Sequence, residues 1–158
     1  MDPDIFNNDF YIRHAQLLCS SYKHWTGKSL TVGNREPDEL ITALFETPFA
    51  IVSHGSESDP VFNFGNKVAL DLFEVEWEEF IQLPSRYSVE TTNRKQREEL
   101  MQRVSNDGHM LDYSGVRISA TGKRFKIEGA TIWNIIDGNG HYLGQAAMFK
   151  NWIAINYT

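Results

Sequence analysis

Five histidines, a single cysteine and a few polar residues set inside apolar runs are the groups of this chain with chemistry to offer. The histidines stand at 14, 24, 54, 109 and 141, and no two are three or four apart, the spacing that sets a pair of metal ligands on one helix face. Cys19 lies five residues from both His14 and His24, which places neither imidazole beside the thiol on a helix, so a thiol–imidazole nucleophile is not expected. His54 sits among Ser53, Ser56, Glu57 and Asp59. That set could move a proton, but it also makes a plain polar turn. Gly138-Asn139-Gly140 lacks the third glycine of a dinucleotide fingerprint and falls between extended stretches rather than before a helix, and no Gly-x-Ser-x-Gly elbow occurs. The expectation is a protein without catalysis and without a metal.

The elements that must position any site follow from periodicity. Phe6, Phe10, His14, Leu17, Leu18, Tyr22 and Trp25 recur at three- and four-residue steps and predict a helix with one sticky face over residues 4 to 27, ended by Gly27. Pro37, with Asp38 and Glu39 behind it, suits a second helix start, and Pro48 stops that helix. Residues 49–52 and 61–64 read as strands around a polar turn. In SDPVFNFGNKVALDLF (58 to 73) the second strand runs through Gly65 straight into a helix capped by Asn66, and Trp77, Phe80 and Ile81 mark another short helix before Pro84. Residues 85 to 91 hold no period. A helix capped by Thr92 and running through Val104 carries Leu100, Met101 and Val104 on one side and Arg94, Lys95, Arg97 and Arg103 on a solvated face, with Gly108 as its stop.

Three extended stretches, 111 to 119, 124 to 136 and 142 to 155, are joined by SATGK and DGNG and form an antiparallel meander, which completes a five-stranded sheet. In the long middle strand Phe125, Ile127, Thr131, Trp133 and Ile135 alternate with Ala130, Ile132 and Ile136, so both faces of the sheet need a cover. The helices between strands two and three can cover one face. The N-terminal helix covers the other, unless that face meets a second subunit.

Composition sets the bounds. A chain of 158 residues with 41% hydrophobic and 13% aromatic content suits one core. A formal net charge of −6 argues against a protein whose main task is binding nucleic acid. No apolar run is long enough to span a membrane, MDPDIFNNDF does not read as a signal peptide, and the lone cysteine fits a reducing compartment, so a cytoplasmic protein is expected. The sequon Asn156-Tyr157-Thr158 is then a chance match.

The element order and the Asn66-x-x-Ala69 helix start resemble a PAS domain. PFAIVSHGSESDPVFNFGNKVALDLFE (48 to 74), WEEFIQLPSRYS (77 to 88), DYSGVRISATGKRFKIEGATIWNIID (112 to 137) and GQAAMF (144 to 149) are similar to the MEKHLA family. This is a PAS-related group that occurs as a stand-alone protein in bacteria and algae and at the C-terminus of plant homeodomain leucine-zipper proteins. The resemblance covers roughly residues 40 to 152 and implies an α+β fold: a five-stranded antiparallel sheet with short helices on one face and an N-terminal helical extension. That places the extension at residues 1–36 and the PAS-like domain at 37–158, of the stand-alone type. A flavin photosensor of the PAS class carries a cysteine in an Asn-Cys-Arg-Phe-Leu-Gln motif where this chain reads LPSRYSVE, and TNRKQREELMQRV offers no haem-ligating histidine. No cofactor is expected.

The resemblance implies a groove between sheet and helices suited to a small organic ligand, and the strands supply its polar groups. Tyr113 and Arg117 come from the first strand of the meander, Glu128, Trp133 and Asn134 from the second, and Gln145 from the third. Arg117 among apolar neighbours needs a carboxylate, either Glu128 or one brought by a ligand. The alternative is an interaction module that binds a twin or a protein partner through the N-terminal helix and holds no ligand. Asn63 and Asn66 read as turn amides rather than ligand contacts.

Overall fold

The computed structural model describes residues 7–31 and 35–155. Helix α1 (Asp9–Thr26) leads into α2 (Pro37–Glu46), the strands β1 (Ala50–His54) and β2 (Phe62–Gly65), and the short helices α3 (Lys67–Phe73) and α4 (Trp77–Phe80). Two 3-10 turns, Ser85–Ser88 and Thr91–Asn93, precede α5 (Arg94–Asp107), and β3 (His109–Ile118), β4 (Arg124–Ile136), β5 (Tyr142–Phe149) and β6 (Asn151–Ile155) complete the chain. The expected helix start near residue 4, Phe6 and the sequon lie outside the described residues.

All pairings are antiparallel in the order β2-β1-β5-β4-β3, with β6 also on β4. The stretch expected as one strand from 142 to 155 is thus two strands broken at Lys150. Its neighbour explains the break: Gly129, which lies between the Glu128↔Asn151 and Thr131↔Met148 pairs, takes φ 64. A left-handed residue inside a strand rotates the chain, and only glycine adopts it without a Cβ penalty. The alternation of β4 reverses there. Phe125 and Ile127 share a cluster with Ala130, Phe73 and Phe80, whereas Trp133 and Ile135 pack with Leu18 and Tyr22 on the opposite face. The expectation that all four point one way is corrected by this one residue.

Helix α1 covers the second face from within the same chain. Ala15, Leu18 and Tyr22 are buried against Trp133, Ile135 and α2, and the Tyr22 ring meets Trp133 at 5.0 Å, edge to face. Polar ties fix the helix in place, three of them to β1 and β4. Ser21 Oγ exchanges two bonds with the backbone of Ile136, Trp25 Nε1 donates to the Asn134 carbonyl at 2.9 Å, and His14 Nε2 bonds Ser53 Oγ at 2.9 Å. Phe10, placed on the sticky face by periodicity, is 54% exposed.

Asn66 answers the question of the abrupt strand-to-helix turn. Its side-chain oxygen accepts from the N–H groups of Ile51 and Ala69 at 3.0 and 3.1 Å, and its amide donates to the carbonyls of Leu44 and Phe49 at 3.1 and 2.7 Å. One fully buried amide therefore joins the end of α2, β1 and the cap of α3. Helix α5 begins later than expected, at Arg94 after a 3-10 turn, and runs to Asp107. Gly108 ends it at φ 93, where a Cβ would strike the Trp25 ring at 2.3 Å. His109 is the first residue of β3 and stacks on Trp25 at 5.8 Å.

Candidate functional site

Between the sheet and α5 lies a cavity of about 90 Å³. Its floor is apolar, with Ile127, Ile132, Ala147 and Phe149 from β4 and β5 and Phe62 from β2. A space of this size holds several waters or a small organic molecule, at roughly 10–15 Å³ per water centre.

Three of the six sequence-predicted residues line it: Tyr113, Arg117 and Gln145. Arg117 Nη1 donates to its neighbour's Val116 carbonyl at 2.9 Å, and its guanidinium lies 5.6 Å from the centre of the Tyr113 ring. Gln145 Nε2 donates to the Met101 carbonyl at 3.0 Å, and reaches Ser105 Oγ and Asn134 Oδ1 at 3.3 Å each. The other three do not line it. Asn134 stands behind Gln145 and ties β4 to α5 through Ser105. Trp133 is fully buried in the cluster under α1, on the opposite face. Arg117 pairs with Phe125, three residues along β4 from Glu128, and the two form no ion pair, so the first of the two carboxylates open to Arg117 is not used.

Arg97 is the residue that sequence reasoning missed. Assigned to a solvated face, it is 8% exposed, lines the cavity, and donates to Ser85 Oγ. Burial, then the nearby Arg117 charge, depress its pKa. The signal was present: 97, 100, 101 and 104 fall on one helix face, so the apolar stripe of Leu100, Met101 and Val104 continues back to Arg97. Arg94 is also half-buried, its Nε shared by the carbonyls of Arg86 and Val89 at 3.2 Å each.

His54 is on the cavity wall. Its Nδ1 must donate to the Gly55 carbonyl at 2.9 Å, which leaves Nε2 unprotonated in the neutral ring, and burial keeps it neutral by lowering its pKa. Asn63 and Asn66 serve the frame. Asn63 Oδ1 accepts from Ser53 Oγ at 2.5 Å, and its carbonyl accepts from the Tyr11 hydroxyl at 2.7 Å. Cys19 lies in α1, packed against the cluster on the far face of the sheet, its thiol pushed up to about 11 by burial. No thiol faces the cavity among its lining residues, so flavin chemistry that needs one finds no partner there. Among the described residues no helix is long and apolar enough to cross a membrane.

Strand order, the helices between β2 and β3, and a cavity between sheet and long helix define an α+β fold of the PAS class. Solved structures agree. A PAS domain from Colwellia psychrerythraea superposes with a TM-score of 0.60 at 17% identity, covering 72% of this chain and 92% of that one. An RNA-binding light-oxygen-voltage receptor gives 0.63 at 16% identity, covering 78% of this chain and 36% of the receptor. At such identities the likeness establishes the fold alone.

The particular family is set by sequence: the MEKHLA domain matches residues 12–154, and the chain belongs to that family. Among curated relatives, the homeobox-leucine zipper protein HOX10 of rice (Oryza sativa subsp. indica) is 26% identical over 141 residues, covering 87% of this chain. The homeobox-leucine zipper protein ATHB-15 of Arabidopsis thaliana is 23% identical over 141 residues, also 87% of this chain. The chain spans 17% of the length of each of these relatives. The match begins inside α1, which shares its core cluster with the sheet.

Proposed function

We propose that this domain is a sensory or regulatory module that takes a small organic ligand in the cavity between the sheet and α5 and passes occupancy to protein partners. The observation that carries the reading is the cavity itself, an apolar floor on which Tyr113, Arg117 and Gln145 converge. A route outward exists in Ser53, which borders the cavity and bonds His14 of α1, so a ligand that moves β1 changes how α1 is held. Such a ligand must favour one packing of α1 over another by its differential affinity.

Native mass spectrometry of the protein purified from its own cells tests the proposal. The expected result is a stoichiometric small-molecule adduct, lost in Arg117→Ala while circular dichroism shows the fold retained, together with altered amide exchange in α1 on ligand release. A clean apo mass moves the reading to a pure interaction module. The exposed apolar side chains Phe10, Leu111 and Ile153 favour that second reading, since each offers surface to a partner.

A further inference from the structure

We infer that the cavity is built for a small monocarboxylate, its carboxylate held between Arg97 and Arg117 and its apolar body lying against Phe62, Ile132 and Phe149. This rests on the ligand-binding reading and names the ligand's chemistry. Arg97 presents five N–H donors and stays charged under all ordinary conditions, yet it is 8% exposed and its side chain donates to one serine hydroxyl, that of Ser85. No carboxylate lies within ion-pair distance of Arg97 or Arg117 among the described residues, and the cavity lining contains no Asp or Glu. Two like charges thus meet at the cavity with no carboxylate in contact, Glu98 and Asp59 acting on Arg97 only from beyond ion-pair distance. A buried, unpaired guanidinium is costly to fold, and a planar carboxylate satisfies two of its donors at once.

The remaining wall limits what else the anion can be. The floor of Phe62, Ile127, Ile132, Ala147 and Phe149 is hydrocarbon, so the oxygens of inorganic phosphate or a polyanion that turned toward it would find no donors. No further arginine and no lysine lines the cavity to receive a second carboxylate. Position matters as well. Arg97, Leu100, Tyr113 and Arg117 also border a second groove of about 370 Å³ between α5 and β3. The arginines therefore stand at the boundary of the inner space, and an entering amphiphile would leave its charged head there with its body inward.

Calorimetric titration with hexanoate and phenylacetate, against hexanamide, phenylacetamide and inorganic phosphate, tests the inference. Both acids should bind, and each amide should bind at least about thirtyfold more weakly, the lower end for removing one side of a buried charge pair. Arg97→Met should weaken the acids by a similar factor while leaving the amides unchanged, and Arg97→Lys, which keeps charge without the fork, should fall between. Amides that bind as tightly as the acids, phosphate that competes with them, or acids that fail to bind at millimolar concentration overturn the inference. The co-purified adduct separates the two readings. A neutral or cationic molecule there sinks the carboxylate and spares the ligand-binding function, whereas a clean apo mass together with no binding sinks both.

Discussion

On the α1 face of the sheet, Leu18, Trp133 and Ile135 are buried to within 1% exposure, and the helix is tied to β4 and β1 by Ser21, Trp25 and His14. On the α5 face a cavity of about 90 Å³ remains, and two arginines border it with no carboxylate within ion-pair distance among the described residues. The same strand, β4, serves both faces, and Gly129 reverses its alternation so that Ile127 and Ile132 both border the cavity. The contrast separates two uses of burial. One face gains stability by filling space, and the other holds back space and charge that something else can complete.

Truncations on the two faces should therefore differ. Trp133→Ala empties a site packed on all sides and should cost about 4 kcal/mol by urea denaturation. Met101→Ala borders existing space, forfeits fewer contacts, and should cost about 1 kcal/mol. Equal losses would break the comparison. Next in size is Asn66→Ala, which removes the α3 cap and leaves the buried groups of Ile51, Leu44 and Phe49 without their side-chain partners. About 3 kcal/mol is expected, and a loss under about 1 kcal/mol would show that the amide is not what joins these elements.

How far the sequence disclosed this arrangement depended on the kind of signal. Turn chemistry was legible: SATGK and DGNG specified the meander, and Asn66 and Pro37 marked helix starts, because these residues act locally. Face assignment on β4 failed at Gly129, since strict alternation assumes extended backbone throughout and a glycine's sign of φ is not written in its neighbours. The site was half visible. Tyr113, Arg117 and Gln145 follow from strand position, but Arg97 was hidden by the rule that arginines on a helix face solvent, which a cavity beside the helix overrides. Glu128 was one of two carboxylates open to Arg117, and the register Arg117↔Phe125 sets it three residues along β4 from the position opposite that arginine.

The α1 face also carries a pH dependence that the cavity arginines do not. Burial holds the His14 pKa down to about 4 from its ordinary 6.5, and its Nε2–H is given to Ser53, whose own proton goes to Asn63. Between those two values the unfolded chain binds a proton that the native state refuses, so stability falls as pH drops through the window and levels off below it. From pH 7.5 to 5 the loss should be about 2 kcal/mol, with His54, depressed in the same direction, adding to it. His14→Gln should flatten the profile. An unchanged slope would assign the acid sensitivity to the cavity face instead.

Arg97→Met is expected to have the smallest effect on the apo protein and sharpens the comparison most. Removing a buried side chain with a hydrogen bond ordinarily destabilises, and here the bond to Ser85 is lost. Against that, methionine keeps the stem's packing, relieves the repulsion from Arg117, and returns no unpaired charge to a dry site. The two contributions are of similar size, so apo stability should stay within about 1 kcal/mol of the parent, with a gain as the telling sign. A gain would mean that the charge is retained at a cost to folding, which a purely structural arginine would not show. A loss of about 3 kcal/mol or more would mean that Arg97 is part of the frame and already satisfied within the protein, and the α5 face would then be no different in kind from the face under α1.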